Sequence, residues 1–98
     1  MGIEIFYKNM RVVEISSITG DDTLIYYRRN YTAVAKLEIL TKTEEVKIAF
    51  TIEIDPLGRK MVYVEYPFGM TFDYPVLPVT TKLKEKIVAM DNEGALPI

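Results

Sequence analysis

The string Tyr26-Tyr27-Arg28-Arg29-Asn30-Tyr31 holds the side chains of this chain that are best suited to binding chemistry. Aromatic rings stack on nucleobases, and guanidinium groups bind phosphates and other anions. In a strand, however, alternation sends neighbouring residues to opposite faces and divides the string between them. The string therefore predicts either an ordinary bent or edge strand or a small anion-binding or nucleic-acid-binding site. The residues of that site would be Tyr26, Tyr27, Arg28 and Arg29.

A second candidate surface is the segment from Tyr66 to Val79, which contains three prolines, four aromatic residues and one charged residue. It is too irregular for a long helix and too apolar for an ordinary solvated loop. Such a segment either packs against its own core or docks on a second copy or another protein, because large apolar patches are uncommon on soluble monomers. Aromatic and Met side chains would anchor that contact. The predicted anchors are Phe68, Met70, Phe72 and Tyr74, joined by Met61 and Tyr63 if these are exposed.

Carboxylates occur in pairs at three places, namely Asp21-Asp22, Glu44-Glu45, and Asp91 with Glu93. The first two pairs follow turn signals and the third closes a predicted helix, so all three are expected to be solvated. The spacing of a calcium-binding EF-hand is absent. These residues therefore predict no metal site and no pair of catalytic carboxylates.

The chain has no histidine and no cysteine, and the sequence also lacks tryptophan and glutamine. Imidazole and thiolate supply most general bases at neutral pH, most tight transition-metal sites and the cysteine nucleophiles. The five glycines are scattered and form no phosphate-binding loop. We therefore expect a protein that is not an enzyme and that needs no cofactor.

Length and charge bound the remaining possibilities. The 98 residues are expected to form one domain, residues 1–98, with a single core and no disulfide. A net charge of −2 gives no global attraction to nucleic acid or to an anionic membrane. No apolar run is long enough for a membrane span or a signal peptide, so a cytoplasmic location is expected. The abundance of Ile, Val, Glu and Lys also matches the composition of heat-adapted proteins.

The clearest structural signal is the alternation of apolar residues from Val46 to Ile54. It predicts a half-buried strand that turns at Asp55-Pro56-Leu57-Gly58, with Gly58 in the left-handed conformation of a three-residue hairpin loop. That turn fixes the register of the next strand. The predicted partners are Ile54 with Lys60, Ile52 with Val62, Phe50 with Val64 and Ile48 with Tyr66.

Further strands are expected on both sides of residue 32. A strand over about 33–40 is predicted to return through residues 41–44, which pairs Leu40 with Glu45 and Glu38 with Lys47. Upstream, residues 3–7 and 11–15 resemble a hairpin, and residues 23–29 form another strand that continues past Asn30 through a bend or bulge. A helix over residues 23–32 is the alternative, but the β-branched and aromatic residues there favour a strand.

One helix is expected near the C-terminus. Pro78 ends the extended structure, and Thr80 or Thr81 is the predicted N-cap. Apolar residues Leu83, Ile87 and Met90 follow at the spacing of one helix face, and Gly94 is the predicted stop.

Together these elements predict an α+β fold: a mainly antiparallel sheet of five or six strands, curled toward a small barrel, with one C-terminal α-helix. The preferred function is a non-enzymatic protein-interaction or assembly module that forms a homo-oligomer or binds another protein through its aromatic and Met segment. The alternative is the anion-binding or nucleic-acid-binding domain described above.

Overall fold

The computed structural model describes residues 10–21, 27–67 and 76–97. Four strands and one helix follow one another along these residues: β1 (Met10–Gly20), β2 (Arg28–Ile39), β3 (Lys42–Ile54), β4 (Lys60–Glu65) and α1 (Val76–Asn92). The strands form one antiparallel sheet in the order β1-β2-β3-β4. The α+β class, the antiparallel sheet and the C-terminal helix are confirmed.

The predicted strand number and closure are wrong for the described residues. They contain four strands rather than five or six, and the sheet is not closed into a barrel. One cause is β2, because the two strands expected on either side of residue 32 form a single strand, Arg28–Ile39. The strand predicted at residues 3–7 and most of that at 23–27 lie outside the described residues.

The hairpin of β3 and β4 has the predicted register. Ile54 lies opposite Lys60, Ile52 opposite Val62, and Phe50 opposite Val64. Gly58 has a φ of 83°, and its N–H donates to the Asp55 carbonyl at 2.9 Å. Local turn chemistry and the apolar pattern therefore specify the same pairing.

The register between β2 and β3 differs from the prediction. Ile39 lies opposite Lys42 and Glu38 opposite Thr43, so the turn consists of Leu40 and Thr41 alone. Leu40 has a φ of 56°, a conformation that two-residue turns usually give to Gly or Asn. The predicted register differs by an even number of residues, so the faces of both strands were assigned correctly although the partners were not.

One face of the sheet forms the core together with α1. Tyr31 and Phe50 lie opposite each other on β2 and β3, and their rings stack with centroids 4.9 Å apart. The helix contacts β1 and β4 and contributes the fully buried Val79, Leu83 and Ile87. The other buried apolar residues of the core are Met10, Ile15, Ala33, Ala35, Leu37, Ile39, Val46, Ile48, Ile52, Val62 and Leu96.

Helix α1 begins earlier than the sequence predicts. Pro78 is its third residue, where the missing N–H costs no helical hydrogen bond, so Pro78 does not mark the end of extended structure. Thr80 and Thr81 lie inside the helix instead of capping it, and the Thr81 hydroxyl donates to the Leu77 carbonyl at 3.0 Å. The predicted stop is confirmed, because Gly94 has a φ of 72°.

Candidate protein-interaction surface

The face of the sheet that points away from α1 is the largest surface on which the described residues place side chains suited to binding. We call it the open face. The registers arrange its residues in rows across the strands, and the row nearest the centre runs Thr19, Thr32, Ala49 and Glu65. Because three of these four side chains are small, the centre of the open face is low compared with its ends.

Charged residues fill one end of the open face. Glu14 lies opposite Lys36, which lies opposite Glu45. In the neighbouring row the Arg11 Nε donates to Glu38 Oε1 at 2.9 Å, and this ion pair raises the pKa of Arg11 and lowers that of Glu38. Positive and negative side chains alternate here, so this end of the face presents no single sign of charge.

The other end of the open face carries exposed apolar side chains on β4. Met61 is 47% exposed and Tyr63 is 44% exposed, and the Tyr63 hydroxyl lies 3.8 Å from the Met61 sulfur. The condition under which these two residues join the predicted anchors is thus met. Thr51 lies opposite Tyr63 and is buried, with its hydroxyl donating to Asn30 Oδ1 at 2.7 Å. Met61 and Tyr63 therefore stand as one apolar ridge beside a low, hydroxyl-rich centre.

Two grooves flank this ridge. The first has a volume of about 470 Å³ and lies over the central row, where its lining includes Thr19, Thr32 and Glu65. The second has a volume of about 460 Å³ and follows β4, with Tyr63 and Glu65 on one side and Thr80 and Lys84 of α1 on the other. The second groove thus reaches from the open face around the outer edge of β4.

The structure separates the two arginines of the predicted anion site. Arg28 lies on the open face, where its Nε is 3.5 Å from Glu53 Oε2, whereas Arg29 points to the core side. Arg29 donates to both carboxylate oxygens of Asp91, at 2.9 and 3.1 Å. Tyr27 is exposed and Tyr26 lies outside the described residues. Because Arg29 is held in an ion pair, the predicted four-residue cluster is not assembled among the described residues.

Asp91 is not the solvated acid that the sequence suggests. Only 9% of its side chain is exposed, and it accepts hydrogen bonds from Arg29 and forms an ion pair with Lys60 Nζ at 2.6 Å. The hydrogen bonds from Arg29 hold the pKa of Asp91 below its ordinary value, and the same contact raises the pKa of Arg29. We call Arg29, Lys60 and Asp91 the ionic clasp, since it joins β2 and β4 to the last turn of α1.

A second contact joins β4 to the helix near the groove. The Tyr66 hydroxyl and Thr80 Oγ1 are 2.6 Å apart, and burial raises the pKa of the Tyr66 phenol. Within the apolar segment 66–79, Pro78 and Val79 are buried, whereas Leu77 is 80% exposed. The described part of this segment is thus divided between core and surface. The predicted anchors Phe68, Met70, Phe72 and Tyr74 lie outside the described residues.

Sequence reasoning missed the ionic clasp, for which no local signal exists. Its members lie 31 residues or more apart in pairs that only the sheet and helix packing bring together. No group of three acidic, His or Cys side chains that could hold a metal is found in the described residues. None of the helices in that part of the chain is long and apolar enough to span a membrane.

A protein-family model described as the BB-0187 family matches residues 7–92. The match covers most of the chain, including all four strands and α1, so the protein belongs to that family. Searches of curated proteins and of solved structures found no match.

Proposed function

We propose that this protein is a non-enzymatic assembly module that associates with a second copy of itself. The observation that carries the proposal is the ridge of Met61 and Tyr63, two large side chains that stay almost half exposed on neighbouring positions of β4. Side chains of these types supply much apolar area and are frequent anchors of protein interfaces. The ridge leads through Pro67 into the segment that holds the predicted anchors Phe68 to Tyr74.

The charges of the open face support a second copy as the partner. Basic and acidic residues alternate across it, as in the row of Glu14, Lys36 and Glu45. A surface with both signs can be complementary to itself about a two-fold axis, whereas a surface of one sign repels its own copy. The net charge of −2 adds little long-range repulsion between two chains.

The test is the solution mass measured by light scattering over a range of protein concentrations at low and high salt. We expect a dimer whose stability changes little with salt, because the ridge is apolar. Replacing Tyr63 with Ser removes one anchor and is expected to raise the dissociation constant about tenfold or more. The matched control is Leu40→Ser, which removes a comparably exposed apolar side chain at the opposite end of the sheet.

A monomer at every concentration would contradict the proposal, and so would equal weakening by both variants. The segment beyond Pro67 has its own test. Phe72→Ser is expected to weaken association while the domain stays folded, and loss of folding would assign Phe72 to the core instead.

Anion or nucleic-acid binding stays a prediction from the sequence. The ionic clasp already occupies Arg29, so binding would depend on Arg28 and Tyr27 and would fall steeply with salt. A titration of single-stranded DNA at low and high salt, repeated with Arg28→Ala, distinguishes this function from self-association.

A further inference from the structure

The outer edge of β4 has an identifiable set of backbone groups that face away from β3. In the hairpin loop the Asp55 N–H donates to the Arg59 carbonyl at 2.9 Å, so these two residues form a hydrogen-bonded pair. Hydrogen-bonded and non-hydrogen-bonded pairs alternate along an antiparallel ladder. The hydrogen-bonded pairs of β3 and β4 are therefore Glu53 with Met61, Thr51 with Tyr63, and Ala49 with Glu65.

An independent contact gives the same alternation. The Ile54 N–H donates to the Tyr27 carbonyl at 2.9 Å, which directs Ile54 toward β2 rather than toward Lys60 of β4. It follows that the N–H and C=O groups of Lys60, Val62 and Val64 point outward from the sheet. These groups line an edge along which the described part of the chain places no further strand.

The two outer strands of the described sheet differ in how well they could accept another strand. The pairing of β1 is interrupted between Val12 and Glu14 and again between Ser16 and Thr19, and Ser17 has a φ of 51°. Bulges of this kind bend an edge and hinder further pairing. By contrast, β4 pairs with β3 from Lys60 to Glu65 without a register shift and contains no proline. Of these two strands, only β4 keeps a straight edge.

We infer that β4 pairs antiparallel with β4 of a second copy about a two-fold axis at Val62, which joins two sheets into one. This inference rests on the proposed self-association and specifies its geometry. In this register Val62 bonds the partner's Val62, and Lys60 bonds the partner's Val64. All three outward-facing residues are then used on each strand, giving about six backbone hydrogen bonds in total, two for each such pair.

The same register brings the exposed ridges of the two copies together. Met61 lies opposite the partner's Tyr63 in a non-hydrogen-bonded pair, where opposite side chains are closest. Sulfur–aromatic contacts are favourable, and the symmetry provides two of them. A shift by one residue would set outward-facing groups against inward-facing ones. A shift by two would place Met61 beside the partner's Glu65 instead.

The groove along β4 is compatible with this partner. Its charged residues are two basic and two acidic side chains, and a second copy therefore meets no net field there. These residues are Arg28, Lys84, Glu53 and Glu65. An extended strand of a different protein would use the same edge but would carry no requirement for two-fold symmetry.

The first test is amide hydrogen exchange, measured residue by residue by NMR at low and high protein concentration. The amides of Met61 and Tyr63 bond to β3 and should exchange slowly at both concentrations. The amides of Val62 and Val64 should exchange fast at low concentration and about tenfold or more slower at high concentration. Equal protection of Val62 and Val64 at both concentrations would overturn the inference.

The second test uses the absence of native cysteine. Single variants Met61→Cys and Tyr63→Cys are mixed and oxidised gently, and the products are identified by mass. Opposite residues of a non-hydrogen-bonded pair are close enough for a disulfide, so the mixed dimer should exceed both homodimers. Leu40→Cys, mixed with either variant, measures random collision.

The outcomes distinguish this geometry from the broader proposal. A dimer by light scattering with unchanged Val62 and Val64 amides, or with no excess of the mixed disulfide, would refute strand pairing and leave self-association standing. A monomer at all concentrations would refute both.

Discussion

Replacing Asp91 with Asn tests whether the ionic clasp holds α1 on the sheet. The two side chains have nearly the same volume, so packing is preserved while the negative charge is removed. Arg29 and Lys60 then face each other's charge without the carboxylate. Exposed ion pairs contribute about 0–1 kcal/mol, and breaking a buried pair costs about 3–5 kcal/mol.

The clasp lies between these limits, because 9% of the Asp91 side chain is exposed against 27% for Arg29 and 33% for Lys60. We therefore expect Asp91→Asn to lower the free energy of unfolding by about 2 kcal/mol at pH 7. In urea this is a decrease of about 1–2 M in the unfolding midpoint for an ordinary slope of about 1–2 kcal/mol/M. Glu38→Gln is the control, since it breaks the exposed pair with Arg11 and should leave the midpoint unchanged within error.

The effect has a defined dependence on pH. The pKa of Asp91 is lower in the folded protein than its ordinary value of 3.8, so its stabilisation is complete above that value. The stabilisation is lost as the pH falls through the lower, folded pKa. The difference between the two proteins should therefore be full at pH 7 and should shrink below about pH 4. A difference under about 0.5 kcal/mol at pH 7, or one that stays constant down to about pH 2.5, would refute the role given to the clasp.

Three further substitutions test the fold. Leu83→Ala removes a fully buried side chain between α1 and the sheet and should cost about 3 kcal/mol in urea unfolding; a cost below about 1 kcal/mol would contradict that packing. Gly94→Ala forces a side chain onto a residue with a φ of 72° and should cost about 1 kcal/mol, although no atom lies within 4 Å of the added carbon. Leu40→Gly should instead stabilise the protein by up to about 1 kcal/mol, because Leu40 has a φ of 56°. An unchanged or lower melting temperature would show that this backbone conformation costs nothing.

Local features decided which parts of the fold were predictable. The hairpin of β3 and β4 was predicted with its register because Gly58 and the alternating residues act within a few positions of each other. Gly94 identified the end of α1 for the same reason, since its N–H bonds to the Asp91 carbonyl and the Ala95 N–H to the Met90 carbonyl. The turn at Leu40 was missed because no residue there favours a positive φ.

Period and residue type were enough to assign the strand faces, the helix face and the stretches rich in aromatic and Met residues. They also placed Met61 and Tyr63 together on the second face of the sheet. The pairing of Arg29 with Asp91 depends instead on tertiary packing, because α1 must lie on the sheet to close a separation of 62 residues. Packing likewise selects which backbone groups of β4 face outward, because that depends on which neighbour each residue bonds. Long-range pairing is set by the whole fold, and no local pattern encodes it.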